Sequence, residues 1–310
     1  MFENRCKTLF IAMSLVYLLI SLFVHLLDSH LHIPHFVLKL IRYGKLVNGS
    51  KRVSSVSWSY LEVPKSYFKY IYLVAAWVYA PVVINQIILV YALDQDASQW
   101  FTTLLDVCCG SKRVATVSTS HTVIAVLLLT LQIWRRFYDT HFVSVFSKKA
   151  SMFCFQFIIG IFYYLGAMVI IVSEAPKFAV TREPDKFDWS NVTITDVVAV
   201  LVFLWAWYRQ HTTTVILANL RRNSKGTVVT ENYKLPNGDL FKYLSSPHCT
   251  TEILMYTCLW VILGYKHSWW CVYTLVLSNQ LDSIISTHKW YKKNFQNFPK
   301  ERKALIPFVI

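Results

Sequence analysis

The chain has 310 residues, of which 55% are hydrophobic, 16% aromatic and only 15% charged; its mean hydropathy is +0.40. An ordinary soluble domain carries roughly a quarter charged residues, so this composition excludes a disordered chain. It also argues against a water-soluble globule, which would lack polar surface to cover so much apolar bulk. The formal charge of +14, from 31 Lys and Arg against 17 Asp and Glu, is an excess that membrane proteins usually place in the loops of one face.

The first apolar run, Leu9 to Leu27, holds nineteen residues without a charge. It follows Arg5 and Lys7 but is long for a signal peptide and lacks a small-residue cleavage site, so it reads as a retained membrane helix. Runs follow at Ile71–Leu93, Val114–Trp134 and Met152–Ser173. At 1.5 Å per residue each crosses the ~30 Å of a hydrocarbon layer. A fifth begins near Thr195 and continues in helix-compatible sequence to Leu220. The stretch Ile253–Ser286 is too long for one span and is split at Gly264-Tyr265-Lys266-His267-Ser268. The expected architecture is an all-α integral membrane protein, a seven-helix transmembrane bundle forming one polytopic domain over residues 1–310.

Loop charge tests the count. The first, third and fifth loops and the C-terminal tail together hold 22 Lys and Arg; the N-terminal segment and the second, fourth and sixth loops hold 8. Alternation of this kind needs an odd number of spans. By the positive-inside rule the N-terminus is lumenal and the C-terminus cytosolic. Asn191-Val192-Thr193 is a glycosylation sequon in an expected lumenal loop, whereas Asn48-Gly49-Ser50 falls in an expected cytosolic one.

Seven cysteines, with no Cys-x-x-Cys pair and no His cluster of zinc-finger spacing, argue against a disulfide scaffold or a metal site. The vicinal pair Cys108-Cys109 reads as packing or a loop feature. There is no Gly-x-Gly and no Walker motif, so any nucleotide is held by side chains between helices rather than by a Rossmann turn. The basic residues flank membrane helices without forming a continuous soluble patch, which argues against nucleic acid.

Polar groups at membrane depth are costly and default to functional candidates. Four places qualify: Glu62 amid aromatics before the second helix; Arg135, Arg136 and Asp139 closing the third; Gln210, His211 and Thr212–Thr214 extending the fifth; and Asn279, Gln280, Asp282 and His288 at the last. Arg136 has the i,i+3 spacing for a pair with Asp139. Interfacial anchoring of the arginines is the plainer reading, as is interhelical bonding for Gln210 and the threonines and a surface position for Glu62. The basic residues Arg221, Arg222, Lys225, Lys300, Arg302 and Lys303 suit either anionic lipid headgroups or the phosphates of a cofactor.

The C-terminal run His288-Lys289-Trp290-Tyr291, Phe295 and Phe298-Pro299-Lys300-Glu301-Arg302-Lys303-Ala304-Leu305-Ile306-Pro307-Phe308 resembles the tail of the steroid 5α-reductase family. Asn219-Leu220-Arg221, Tyr233, Pro236, Gly238, Leu240-Phe241, Tyr243, Ser245 and Glu252 keep the family's order and spacing. Arg135-Arg136-Phe137-Tyr138, Val143-Ser144-Val145-Phe146-Ser147 and Ser245-Ser246-Pro247-His248 resemble its polyprenol reductase branch. The resemblance runs from about Glu62 to Ile310. It implies an enzyme of the endoplasmic reticulum membrane, with residues 195–310 as the cofactor-binding region and NADPH arriving from the cytosol. The cofactor-contacting positions that it implies are Arg136, Gln210, Arg221, His248, Glu252, Tyr291 and Arg302; Glu62 takes the place of the catalytic acid, and His288 of a branch histidine tied to activity. Gln210 and His248 stand where steroid reductases carry asparagine. Thr214 replaces an aspartate whose role is not carried over, and Ile133 replaces a tyrosine of their carbonyl clamp. The implied activity is NADPH-dependent reduction of the α-isoprene double bond of a polyisoprenoid lipid in dolichol synthesis, which supports protein N-glycosylation. Reduction of a 3-oxo steroid or a very-long-chain enoyl-CoA is the alternative within enzymes; a seven-helix transporter or receptor is the alternative outside them.

Overall fold

The computed structural model describes residues 4–27, 61–148, 150–179, 186–223, 225–230 and 232–305. The Asn48 sequon and the aromatic run just before Leu61 lie outside these. The helices are α1 (Arg5–Leu27), α2 (Lys65–Ala92), α3 (Gln99–Cys109), α4 (Thr119–Tyr138), α5 (Cys154–Ser173), α6 (Ile194–Asn219), α7 (Pro247–Leu263) and α8 (Trp269–Asn294). Among the described residues three helices are long and apolar enough to cross a membrane, those at α1, α2 and α5. The protein is a mostly helical membrane protein.

The all-α expectation fits, with one short addition. Strand β1 (Glu62–Pro64) pairs antiparallel with β2 (Ser151–Phe153), with Glu62 opposite Phe153 and Pro64 opposite Ser151. Three-residue strands carry too little alternation to show in a hydropathy pattern. Their pairing sets the entries of α2 and α5 side by side. The third predicted helix is also displaced. The extended segment before Ser118 leaves Val114 outside the helix, and α4 starts at Thr119 because Ser118 caps it, accepting from the His121 amide, and runs on to Tyr138. Helix α3 lies in what the sequence presents as a loop.

Helix α2 is not uniform. It widens into π-turns at Ala75–Tyr79 and Ile88–Ala92. The first lies just ahead of Pro81, whose ring nitrogen has no hydrogen to give residue 77, so the turn widens where the ladder is interrupted. The split of the last apolar stretch is as the sequence predicts. Gly264 ends α7 with φ of 78°, a conformation that suits glycine.

The connections gather at two ends. At one, Tyr91 Oη donates to the Pro176 carbonyl at 2.7 Å and Arg113 Nη2 to the Phe178 carbonyl at 3.1 Å. Ser120 Oγ donates to the Asp188 carbonyl at 2.8 Å, and Lys7 near the start of α1 sits 5.4 Å from the Trp270 ring. At the other end lie β1 and β2, Arg221 and Arg222 bonded to the carbonyls of Val145 and Val143, and a bridge between Leu244 and Lys303.

Glu174 locks the first end. Its Oε2 accepts from Thr116 Oγ1 at 2.8 Å and from the Ser268 amide at 3.0 Å, and its Oε1 accepts from Ser268 Oγ. It is 8% exposed, so losing it strands several buried donors. Glu174→Ala is expected to destabilise the protein by about 1–3 kcal/mol, read as a lowered thermal unfolding midpoint in detergent.

Candidate active site

A polar cluster lies between α4, α6 and α7. Gln132 Nε2 donates to Gln210 Oε1 at 2.9 Å and to Glu252 Oε2 at 3.1 Å. Gln210 Nε2 donates to the His248 carbonyl at 3.0 Å and also to Glu252 Oε2. Arg135 Nη2 donates to Gln132 Oε1 at 2.7 Å and to Gln210 Oε1. All four side chains are buried. Gln132, Gln210 and Glu252 thus bond one another and Arg135 Nη2, while Arg135 Nε and Nη1 make no hydrogen bond among the described residues.

The arginine pairing differs from the spacing-based expectation. Asp139 pairs with Arg135, at 3.3 Å and i,i+4, and its other oxygen lies 2.6 Å from His211 Nδ1. Arg136 turns away: its Nε and Nη2 both donate to Tyr72 Oη at 3.2 Å, and its guanidinium lies 4.9 Å from the Tyr72 ring centre. The cause is rotation. At 100° per residue Arg135 and Arg136 flank the line through Gln132 and Asp139 on opposite sides, and Arg135 meets Gln210 while Arg136 meets Tyr72.

The second group surrounds the tail. Ser245 Oγ and His288 Nδ1 are 2.7 Å apart, and the His288 ring meets Phe298 edge-on at 5.4 Å. Tyr291 stacks on the other end of this aromatic set, 6.5 Å from Phe298. The tail is held by the Ser245 amide donating to the Lys303 carbonyl at 3.0 Å and the Lys303 amide to the Tyr243 carbonyl at 2.8 Å. That strap buries Arg302 to 2% exposure, with Nε and Nη1 making no hydrogen bond among the described residues and the guanidinium 5.6 Å from the Phe298 ring. Burial lowers the pKa of Arg302 from its ordinary value, with Tyr291 opposing. Arg221 is engaged, donating to the Val145 carbonyl at 2.7 Å and facing the Tyr233 ring at 5.4 Å.

Glu62 stands at the start of β1, half-buried, with Oε2 accepting from Ser151 Oγ. The Lys65 amide donates to the Ala150 carbonyl at 2.9 Å just beyond the ladder, so the carboxyl is fixed by backbone pairing.

The structure therefore joins Gln210 and Glu252 directly, brings in the His248 backbone, and sets Arg302, Tyr291 and His288 together around Phe298. Arg136 is separate from the hydrogen bonds of the first cluster, though Glu252 is among the groups facing it. Gln132 and Tyr72 were missed in the sequence. Gln132 had a signal, a lone amide in an apolar helix three residues before Arg135; Tyr72 had none, since one tyrosine in an aromatic-rich span is unremarked. Among the described residues no group of His, Cys, Asp and Glu is suited to hold a metal ion.

A buried polar site assembled between helices, in a chain with a basic and aromatic tail, accompanies likeness to known oxidoreductases. The family model described as 3-oxo-5-alpha-steroid 4-dehydrogenase matches residues 173–310. A protein named polyprenal reductase from Drosophila melanogaster is 33% identical over 285 residues, covering 90% of this chain and 86% of that protein. Polyprenal reductases of Mus musculus and Homo sapiens are 28% and 29% identical, covering 99% and 87% of this chain and 96% and 85% of their own lengths. The chain belongs to the steroid 5α-reductase family of oxidoreductases, and it resembles the family members named polyprenal reductase along most of its length.

The Arg135–Asp139 pair gives a test of the cluster. Arg135→Leu leaves a fully buried carboxylate short of its partner and is expected to destabilise the protein by about 3–5 kcal/mol. The double variant Arg135→Leu/Asp139→Leu is expected to recover most of that loss. Thermal unfolding of the three proteins, compared as a double-mutant cycle, checks it.

Proposed function

We propose that this protein is an NADPH-dependent polyprenal reductase of the endoplasmic reticulum membrane, saturating the α-isoprene double bond of a polyisoprenoid aldehyde in dolichol synthesis and so supporting protein N-glycosylation. What carries the reading is similarity to a polyprenal reductase along nine-tenths of the chain, 33% identical. The spans number seven, with the N-terminus lumenal and the basic end, carrying the β1–β2 pair and the tail, cytosolic. The loop-charge asymmetry supports that orientation.

The residues present fit a dinucleotide phosphate. Arg302 is buried with two guanidinium nitrogens unbonded, and a planar donor of that kind is suited to a bidentate phosphate contact. Arg302 and Arg221 hold the phosphates; Tyr291 and His248 line the cofactor beside them; Arg136, Gln210 and Glu252 close its inner end. When bound, NADPH supplies a hydride.

The choice of aldehyde over alcohol is chemical. An allylic alcohol gives an incoming hydride nowhere to place negative charge. In an α,β-unsaturated aldehyde the β-carbon accepts it while charge moves through the conjugated bonds to the carbonyl oxygen. Glu62, in its protonated form, donates a hydrogen bond to that oxygen as its charge develops. Ser151 and the β1–β2 pairing keep the carboxyl from turning away. His288, held by Ser245, positions the tail against the cofactor. Ile133, fully buried on α4, offers no hydroxyl to a steroid carbonyl, which supports the lipid aldehyde. The long isoprenoid tail leaves sideways between helices into lipid.

Purified protein supplied with NADPH and polyprenal is expected to release dolichal, detected by mass spectrometry. Reduction of polyprenol with neglect of the aldehyde would overturn the conjugation argument. Glu62→Gln is expected to cut kcat about a hundredfold with NADPH binding nearly intact. Arg302→Leu is expected to abolish the rise in thermal midpoint given by saturating NADPH, measured on protein whose unliganded unfolding stays cooperative.

A further inference from the structure

Tyr72 stands about two turns into α2, the helix that opens directly after the strand of Glu62. It is buried. Its ring meets Phe68 of the same helix at 5.3 Å and Tyr164 of α5 at 5.4 Å. Its Oη accepts from both Nε and Nη2 of Arg136 at 3.2 Å, and the guanidinium lies 4.9 Å from its ring centre. The position of this phenol and its hydrogen-bonding role are therefore both set. An oxygen that accepts two N–H groups has its own O–H left to give, and among the described residues that O–H meets no acceptor. Two neighbours differ from it. Tyr164 packs on Tyr72 but makes no hydrogen bond to Arg136 among the described residues. Ile133, one turn ahead of Arg136 on α4, is fully buried and has no hydroxyl.

The reduction proposed above leaves one proton unassigned. Hydride reaches the β-carbon, and charge moves to the carbonyl oxygen, where Glu62 meets it. The α-carbon, two bonds from that oxygen, must still receive a proton. We infer that Tyr72 gives it, as a catalytic residue of the reaction. The carbonyl re-forms, the electron pair of the enolate C=C bond takes the Tyr72 proton into a new C–H bond, and the O–H electrons stay on the phenolate oxygen. Arg136 faces that oxygen with two N–H groups and a full positive charge, so the new charge is met where it appears. Solvent returns a proton to the phenolate after the product leaves. The sum is one hydride from the cofactor and one proton from solvent added across the double bond.

The inference rests on the enal reductase reading and on Arg136 closing the inner end of the cofactor. Purified protein is supplied with NADPH and polyprenal in D2O, and the product aldehyde is reduced at once to its alcohol so that the label is not lost by enolisation. Delivery from a residue held in place labels one face of the α-carbon; delivery from bulk solvent labels both. The parent is expected to give one α-epimer by NMR. Tyr72→Phe keeps the ring and its packing but has no proton to give. It is expected to lose about a hundredfold in kcat, to give both epimers, and to keep the rise in thermal midpoint with saturating NADPH. Tyr164→Phe is expected to keep the single epimer.

Undiminished turnover or a single epimer from Tyr72→Phe would overturn the inference. Loss of the NADPH-dependent rise in that variant would overturn it too, because Tyr72 would then act on cofactor binding through Arg136. Mixed epimers from a parent that reduces polyprenal, or from Tyr164→Phe alone among the variants, defeat the role of Tyr72 and leave the enal reading standing. A parent that does not reduce polyprenal defeats both.

Discussion

The structure depends on a constraint that lipid imposes and water does not: a polar group inside the bundle must find its partner inside the bundle. Glu252 on α7 would be ruinous alone. It is tolerable because Gln132 of α4 and Gln210 of α6 both donate to the same carboxylate oxygen. Gln210 in turn has its carbonyl taken by Arg135 and Gln132, and Arg135 carries Asp139 with it. Three helices are thereby fixed in rotation and depth relative to one another, because a slide of one turn would break every interhelical bond in the set. The apolar packing around the cluster, including Phe203, Ala206, Met255 and Leu259, is compatible with many registers; the polar set selects one.

The same constraint explains the tail. A guanidinium left with two unbonded nitrogens at 2% exposure costs folding free energy, and the chain accepts that cost at Arg302 while satisfying Arg221 and Arg222 on backbone carbonyls a short distance away. The difference between these arginines is informative. Those of the α6 end have structural employment, holding the segment after α4. Arg302 lies against the Phe298 ring, and its Nε and Nη1 make no hydrogen bond among the described residues; the strap through Ser245, Lys303 and Tyr243 holds it buried.

Much of this was legible in the sequence, for reasons that can be named. Long apolar runs reported the helices because lipid requires every exposed side chain of a span to be apolar, and Gly264 reported the break between α7 and α8 because few other residues take its backbone angle. The tail was legible through resemblance: composition could not choose between lipid headgroups and a cofactor for its basic residues. What stayed hidden was short or tertiary. Strands of three residues have no period to detect, and their role is to pin Glu62, which the sequence presents only as an acid among aromatics. The choice of Arg135 over Arg136 for Asp139 depended on which neighbour each flank of α4 meets, Gln210 on one side and Tyr72 on the other, and spacing within α4 does not report that. The π-turns of α2 were foreshadowed only by Pro81.

The two ends of the bundle are built on different principles, and this bears on how such a protein can bind a water-soluble cofactor and a lipid together. The end opposite the tail is closed: Glu174 ties three connections, Arg113 is bonded to the Phe178 carbonyl through two of its nitrogens, and Asp94 and Lys177 pair across it. The tail end is held by backbone straps and aromatic faces, contacts that separate without leaving buried charge behind. Between Trp134, Tyr138, Trp207 and Tyr208 an open groove of about 400 Å³ reaches Arg135 and His211. One end of the bundle is thus locked by buried charge and its hydrogen bonds, the other by backbone pairing and aromatic faces, and the groove opens beside the polar cluster of the second.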